Sequence, residues 1–176
     1  MAKTYPGIGP FAPGDILNAA TMTDIDTNLD NQRVPASVRA YRATDATGYA
    51  SGTSITWTAE AFDTDGMFTA SSTDITIQTT GLYLITFQGF WTATATVAEY
   101  ETIVTVAGNS TLRRYDKAPS TTAGRFNISG VVSLNAAQVV TASISFVGGS
   151  AYVIKGGTDP RSDTTSLTLT WLGQVS

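Results

Sequence analysis

The sequence has 176 residues, of which 42% are hydrophobic and 14% are charged, and its formal net charge is −4. It is too apolar for a disordered chain, yet no apolar run approaches the roughly 20 residues of a membrane-spanning helix. Cysteine and histidine are both absent, which excludes disulfides, thiolate nucleophiles and Ser-His-Asp catalysis. We therefore expect a protein that is not an enzyme and that has no cofactor, no bound metal and no membrane insertion.

The mild acidity also disfavours nucleic-acid binding, because phosphate contacts depend on clustered lysine and arginine. The basic cluster of the sequence consists of Arg113, Arg114 and Lys117. We interpret it as the solvated end of a strand and expect no nucleic-acid partner.

Residues 1–17 predict an extended arm, because their prolines and glycines cannot sustain a helix or a sheet. The segment nevertheless carries Tyr5, Ile8 and Phe11 at regular spacing. A loose tail would not usually keep three large apolar side chains. The alternatives are a loose tail and an arm that docks into a groove on another protein, with these three residues as the anchor. The first residues have no apolar core of the kind that a signal peptide has.

Residues 18–36 predict a short helix followed by a linker. Asn18 is a suitable N-cap, and Met22, Ile25 and Leu29 recur at helical spacing on one face. An isolated helix of this length is marginal in water, so this apolar stripe needs a partner. The partner is the chain's own domain, another protein or further copies of the chain. Pro35 ends the segment.

Residues 37–176 predict an all-β domain, because short strand-like runs alternate with turn-forming residues. The runs are 37–43, 54–62, 74–79, 81–91, 98–107, 125–134, 138–147, 151–156 and 166–173. Strands at this spacing without intervening helices favour an antiparallel sandwich or jelly roll.

The run GLYLITFQGFW (81–91) is apolar on both faces. Such a strand must be covered on both sides, and a two-sheet sandwich covers one. We expect subunit association to cover the other, because aromatic residues are enriched at the centres of interfaces. We assign the more aromatic face to the subunit interface, together with the helix stripe: Tyr83, Ile85, Phe87, Trp91, Met22, Ile25 and Leu29.

The run GLYLITF (81–87), which follows DITIQTT (74–80), resembles the Gly-x-Tyr-x-x-Thr-Phe signature on the central strand of C1q/TNF-like jelly rolls. The ordered pattern over residues 37–174, from VRAYRATDATGYASG to SLTLTWLG, is similar to bacterial and phage members of that group. The resemblance implies a jelly roll that assembles as a homotrimer and serves recognition or structure.

The leader PFAPGDILNAATMTDIDTNLDN (10–31) resembles one found in phage tail and fibre proteins. Thr23 stands where an asparagine is usual. The matching positions are Pro10, Phe11, Gly14, Leu17, Ala19, Ala20 and Met22. Together the two resemblances imply a bacteriophage virion protein, located on the particle, whose arm binds another capsid or tail protein.

Two functions follow from this interpretation. One is a head- or tail-fibre knob that attaches to a host-surface glycan through aromatic rings near strand ends, for which the candidates are Tyr49, Trp57, Tyr115 and Tyr152. The other is a capsid decoration protein that stabilises the head and binds no receptor.

Two acidic patterns in the sequence resemble functional sites. The stretch Asp63-Thr64-Asp65-Gly66 suggests the start of a calcium loop, but residue 61 is alanine and the position six after the glycine is Ser72. We interpret it as a turn, and the alternative is a looser calcium site that uses Asp63, Asp65 and backbone carbonyls. Glu99 and Glu101 lie two residues apart on a predicted strand, about 7 Å from each other, and we interpret them as solvent-facing acids rather than as a glycosidase pair.

Overall fold

The computed structural model describes residues 34–118, 122–157 and 164–174, together with six residues nearer the N-terminus. Those six are helical, as predicted: Ala20, Met22, Thr23, Ile25, Asp26 and Leu29. The predicted anchor residues Tyr5, Ile8 and Phe11 lie outside the described part of the chain. No helix in that part is long and apolar enough to cross a membrane.

The described residues form eleven strands that make two antiparallel sheets, so the predicted all-β fold is confirmed. The strands are β1 (Ser37–Tyr41), β2 (Ala46–Tyr49), β3 (Ala59–Asp63), β4 (Ile75–Thr76), β5 (Gly81–Thr92), β6 (Val97–Val106), β7 (Asn109–Lys117), β8 (Ala123–Leu134), β9 (Val139–Gly148), β10 (Tyr152–Ile154) and β11 (Ser166–Gly173).

The larger sheet, here called sheet A, has the strand order β2-β10-β5-β11-β1-β3, and β8 also pairs with β5. β8 follows β5 along its whole length, while β11 and β10 share the opposite edge of β5. The smaller sheet, sheet B, has the order β4-β9-β6-β7. β8 and β7 are therefore neighbouring edge strands of the two sheets.

The sequence pattern does not predict two of the strands, β2 and β7. β2 is short and contains Gly48, which adopts a positive φ of 69°. β7 lacks apolar alternation because it is an edge strand: its inward positions include Arg114 and Asp116, which pair with buried residues of β6 but reach water at the edge. The predicted strand over 54–62 is regular only from Ala59 onward.

The core lies between the two sheets, and the inward face of β5 supplies its largest side chains. Tyr83, Ile85, Phe87 and Trp91 are each 0% exposed within the single chain. Their neighbours come from both sheets: Phe87 lies 6.1 Å from Trp57 between ring centroids, and Trp91 lies 5.1 Å from Phe146.

The assignment of these four β5 side chains to a subunit interface is therefore wrong. A side chain with no accessible surface in one chain has none to offer to another. The aromatic bias that suggested an interface instead reflects the volume needed to fill the space between two sheets.

The opposite face of β5 is the one that remains accessible. Leu84 points outward from sheet A and is 38% exposed, and its cross-strand neighbour Val131 on β8 is 57% exposed. Directly opposed side chains of antiparallel strands share a face, so these two residues form one apolar patch. The expectation that both faces of β5 are apolar is correct, but the more aromatic face is the one that lies in the core.

Candidate functional site

The Asp63–Gly66 segment is a hydrogen-bonded turn between β3 and β4. The Asp63 carboxylate accepts hydrogen bonds from the backbone N–H groups of Asp65, at 3.1 Å, and Phe68, at 2.8 Å. Gly66 takes a positive φ of 68°, which glycine adopts without strain. Asp65 is buried and accepts a 2.8 Å bond from the Thr79 hydroxyl. The carboxylates of Asp63 and Asp65 therefore both accept hydrogen bonds from the protein itself.

Among the described residues, no group of three or more acidic side chains is arranged to hold a metal ion. The hydrogen bond from Thr79 to Asp65 ties the turn to the residues that lead into β5.

Replacing Asp63 by alanine is expected to lower the free energy of unfolding by about 1–3 kcal/mol, because two partly buried N–H groups lose a charged acceptor. Asp63→Asn keeps one acceptor oxygen and should lose less. Thermal unfolding of both variants, with and without added calcium, checks this. A midpoint that rises with calcium in the wild type and not in Asp63→Ala would contradict the turn interpretation.

The structure separates the four aromatic residues proposed to contact a ligand. Trp57 is fully buried in the core, so the prediction for it is wrong. Tyr49 and Tyr152 are partly buried, their rings pack against Phe146, and their hydroxyls donate to the carbonyls of Thr53 and Gly148. Each therefore supports its own loop, whereas Tyr115 is 69% exposed.

Tyr115 stands on the outer face of sheet B beside two charged side chains. Cross-strand pairing places it opposite Glu101 on β6. The Arg113 guanidinium donates to its hydroxyl at 3.0 Å and lies 5.7 Å from its ring centroid. Arg113 also donates through Nε to Glu101 at 2.5 Å. We call Glu101, Arg113 and Tyr115 the Tyr115 platform.

Hydrogen bonding within the platform keeps its charges in place. The bond from Arg113 holds the pKa of Glu101 below its usual value, and the same bond raises the pKa of Arg113. A hydrogen bond to Glu101 raises the pKa of Tyr115. The platform is therefore a carboxylate, a guanidinium and a neutral phenol over the whole neutral range.

This arrangement does not suit glycosidase chemistry. Glu99 is exposed and lies opposite Lys117, and Glu101 is nearly buried and paired with Arg113. A general acid of a glycosidase needs a raised pKa, whereas the pKa of Glu101 is lowered.

A second polar feature, which the sequence did not suggest, is an open cleft of about 390 Å³ where β7 approaches β5 and β8. We call it the edge cleft. Its lining residues are Gln88, Gly89, Arg114, Asp116, Arg125, Phe126, Asn127 and Thr164.

The basic cluster predicted as a solvated strand end is thus divided between two surfaces. Because successive residues of a strand point to opposite faces, Arg113 joins the Tyr115 platform while Arg114 turns into the edge cleft. Alternation along β7 would have signalled this division had that strand been recognised in the sequence.

Known proteins resemble this chain in structure and not in sequence. No known protein family and no curated protein matches it by sequence. The crystal structure of murine APRIL at pH 8.5 superposes with a TM-score of 0.56 at 14% identity, covering 78% of this chain and 98% of that one. Eiger TNF from S. frugiperda superposes with a TM-score of 0.61 at 9% identity, covering 80% and 94%.

The globular domain of the zebrafish complement 1qA protein gives a TM-score of 0.54 at 11% identity, covering 78% of this chain and 96% of that one. At these identities the likeness concerns the fold alone. It agrees with the two antiparallel sheets, the central β5 and the GLYLITF run upon it. The fold of this chain is the C1q/TNF-like jelly roll.

Proposed function

We propose that the chain is a non-enzymatic bacteriophage virion protein, a homotrimeric knob that is held to the particle by its N-terminal arm and that attaches to a glycan on the host surface. The leader at residues 10–31 supports the virion assignment, and the jelly-roll fold supports a recognition or structural role. The Tyr115 platform is the observation that carries the attachment function.

The outer face of sheet A supports the trimer. Leu84 and Val131 form an exposed apolar patch on β5 and the edge strand β8, which pair along their whole length. Exposed apolar surface that is continuous across neighbouring strands commonly marks an interface. A second copy of this chain is the occupant that we propose, because C1q/TNF-like jelly rolls, which the sequence resembles, assemble as trimers.

The helix supports the same arrangement. Met22 and Leu29 are both exposed on the single chain. Their stripe therefore still needs a partner, and packing of three helices around a common axis would provide one. The arm that precedes the helix would then leave the trimer at one end and bind another virion protein.

The Tyr115 platform supports glycan attachment through its combination of groups. A tyrosine ring presents a rigid apolar face for a sugar ring, and it costs little conformational entropy to hold. Glu101 and Arg113 flank that ring and supply an acceptor and donors for hydroxyl groups. Arg113 is in turn held by Glu101, so the platform is ordered before any ligand arrives.

Replacing Tyr115 by alanine is expected to weaken binding of the protein to host cells by about tenfold or more, since exposed tyrosines at such sites contribute ~1.4 kcal/mol or above. Tyr115→Phe keeps the ring and should retain most of the binding. The measurement is saturable binding of fluorescently labelled protein to host cells, with and without enzymatic removal of surface glycans.

Equal binding by wild type and Tyr115→Ala would contradict attachment through this platform. Absence of any saturable binding, combined with particles that lose heat resistance when the protein is missing, would favour the decoration function instead. Electron microscopy of labelled particles separates a tail location from a capsid location.

A further inference from the structure

We propose that the sugar bound at the Tyr115 platform is uncharged, and that Glu101 is the residue that keeps Arg113 from pairing with the carboxylate of an acidic sugar. This inference rests on the proposed attachment through that platform and adds the chemical class of the ligand. It concerns the outer face of sheet B, where side chains of β7, β6 and β9 lie beside one another.

Cross-strand pairing arranges the surroundings of Tyr115 in three rows across sheet B. The central row runs from Tyr115 through Glu101 on β6 to Ser145 on β9. Directly opposed residues of antiparallel strands share a face, so a sugar on the Tyr115 ring extends over this row and its two neighbours. The neighbouring rows are Arg113–Ile103–Ser143 and Lys117–Glu99–Val147.

The charges of the three rows cancel. Arg113 and Lys117 each carry a positive charge, and Glu99 and Glu101 each carry a negative one. The other members of the rows are uncharged, and the chain as a whole carries −4. A surface with no surplus of positive charge, on an acidic protein, gives an anionic ligand no net attraction.

Arg113, the cation nearest to the Tyr115 ring, is already paired. Its Nε donates to Glu101 Oε1 at 2.5 Å, and its Nη2 donates to the Tyr115 hydroxyl at 3.0 Å. The Glu101 side chain is 11% exposed and that of Arg113 is 49% exposed, so the carboxylate lies deeper in the surface than the cation that it holds. The carboxylate of a ligand would have to share Arg113 with Glu101 and lie close to a second negative charge.

The negative charge of Glu101 persists at neutral pH. The hydrogen bond from Arg113 holds the pKa of Glu101 below its usual value, so protonation does not relieve the repulsion between this carboxylate and that of a ligand. An acidic sugar therefore gains nothing from its charge at this surface.

The groups that remain for a ligand suit hydroxyl groups. The Tyr115 ring, 69% exposed, offers an apolar face to a sugar ring. Arg113 uses two of the five N–H donors of a guanidinium in its printed geometry with Glu101 and Tyr115, and the others can donate to sugar hydroxyls. At the far end of the central row, the Ser145 hydroxyl can both donate and accept.

The test uses the full chain and immobilised oligosaccharides in matched pairs that differ in a single carboxylate: glucose and glucuronic acid, galactose and galacturonic acid, mannose and mannuronic acid. We expect the wild type to bind at least one neutral member in a manner that Tyr115→Ala loses, and to bind its acidic counterpart no better. Binding of the neutral member should change little with added salt, because no ion pair forms with the ligand.

Glu101→Gln is the decisive variant, because it keeps the size of the side chain and an acceptor for Arg113 while it removes the charge. Arg113 is then uncompensated, so affinity for the acidic member should rise by up to about fivefold, as an exposed ion pair contributes, and should fall again with added salt. Affinity for the neutral member should stay near that of the wild type. Loss of a purely structural role would instead lower both affinities together.

Glu60→Gln is the matched control. Glu60 is an exposed residue of β3 in sheet A, so this variant changes the net charge of the chain by the same amount on the other sheet. Both affinities should equal those of the wild type. Circular dichroism checks that each variant is folded.

Three results would overturn the inference. They are Tyr115-dependent binding of an acidic member that is tighter than that of its neutral counterpart, an unchanged ratio of the two affinities in Glu101→Gln, and no Tyr115-dependent binding of any neutral member. The host-cell assay separates these from failure of attachment itself. Cell binding that depends on Tyr115 keeps the platform as the attachment site when any of them occurs, whereas cell binding that does not depend on Tyr115 removes the platform and this inference together.

Discussion

Replacing Phe87 by alanine is expected to lower the free energy of unfolding by about 3–5 kcal/mol, the usual cost of emptying a buried aromatic site. Its ring packs edge-on against Trp57, with centroids 6.1 Å apart, and lies 4.8 Å from the ring of Phe126. These partners belong to different parts of the sandwich and cannot close the cavity together. A loss of this size is a large fraction of the 5–15 kcal/mol that holds a typical domain folded.

Chemical denaturation at several protein concentrations measures this effect and separates it from any loss due to dissociation. Phe87→Leu fills much of the same volume and should cost considerably less. If Phe87→Ala unfolds like the wild type but changes the oligomeric state, the Phe87 ring belongs to a subunit interface and not to the core.

Replacing Leu84 by aspartate is expected to convert the proposed trimer to monomers while the domain stays folded. Leu84 is partly exposed on the outer face of sheet A and makes no contribution to the space between the sheets. A carboxylate buried at the centre of an interface without a partner costs several kcal/mol, which each of three symmetric copies would incur. Sedimentation velocity measures the mass, and circular dichroism monitors the fold.

Val147→Asp is the matched control. Val147 is 60% exposed and lies on β9 at the outer face of sheet B, opposite Glu99. The same change of an apolar residue to aspartate on this other face should leave the trimer intact. A Leu84→Asp protein with the sedimentation coefficient of the wild type would show that copies associate elsewhere, or that the protein does not associate.

The two predictions concern opposite faces of a single strand, and they show where inference from the sequence ended. Alternation in GLYLITFQGFW established that both faces of β5 are apolar. It did not establish which face looks inward, because the pattern is symmetric with respect to the two sides of a sheet. The choice depends on β6 and β9, whose inward residues Thr102, Val104 and Ile144 lie across the core from β5.

The candidate site was predictable only in part. Tyr115 was among the four aromatic residues chosen, and exposure now distinguishes it from Tyr49, Trp57 and Tyr152. All four residues lie near predicted strand ends or loops, so the sequence offered no reason to prefer one of them. What separates them is whether another element passes over the ring: Phe146 covers Tyr49 and Tyr152, and both sheets enclose Trp57.

The edge cleft could not have been found from the sequence. Its lining comes from positions as far apart as Gln88 and Thr164, and no local pattern connects them. It forms where β7 and β8, which are consecutive in the chain, belong to different sheets, so that residues of both strands line it.

By itself, the sequence determined the all-β class, the positions of most strands and the resemblance to C1q/TNF-like jelly rolls, since strand periodicity and turn-forming residues act over a few neighbours. It also indicated a turn at Asp63-Thr64-Asp65-Gly66, because the spacing needed for a helix–loop–helix calcium site is absent. Tertiary structure alone decided which face of β5 is the core, which aromatic ring is exposed and which residues line the edge cleft. Those properties depend on the packing of strands that are distant in the chain, and a local pattern carries no information about which side of a strand another sheet will cover.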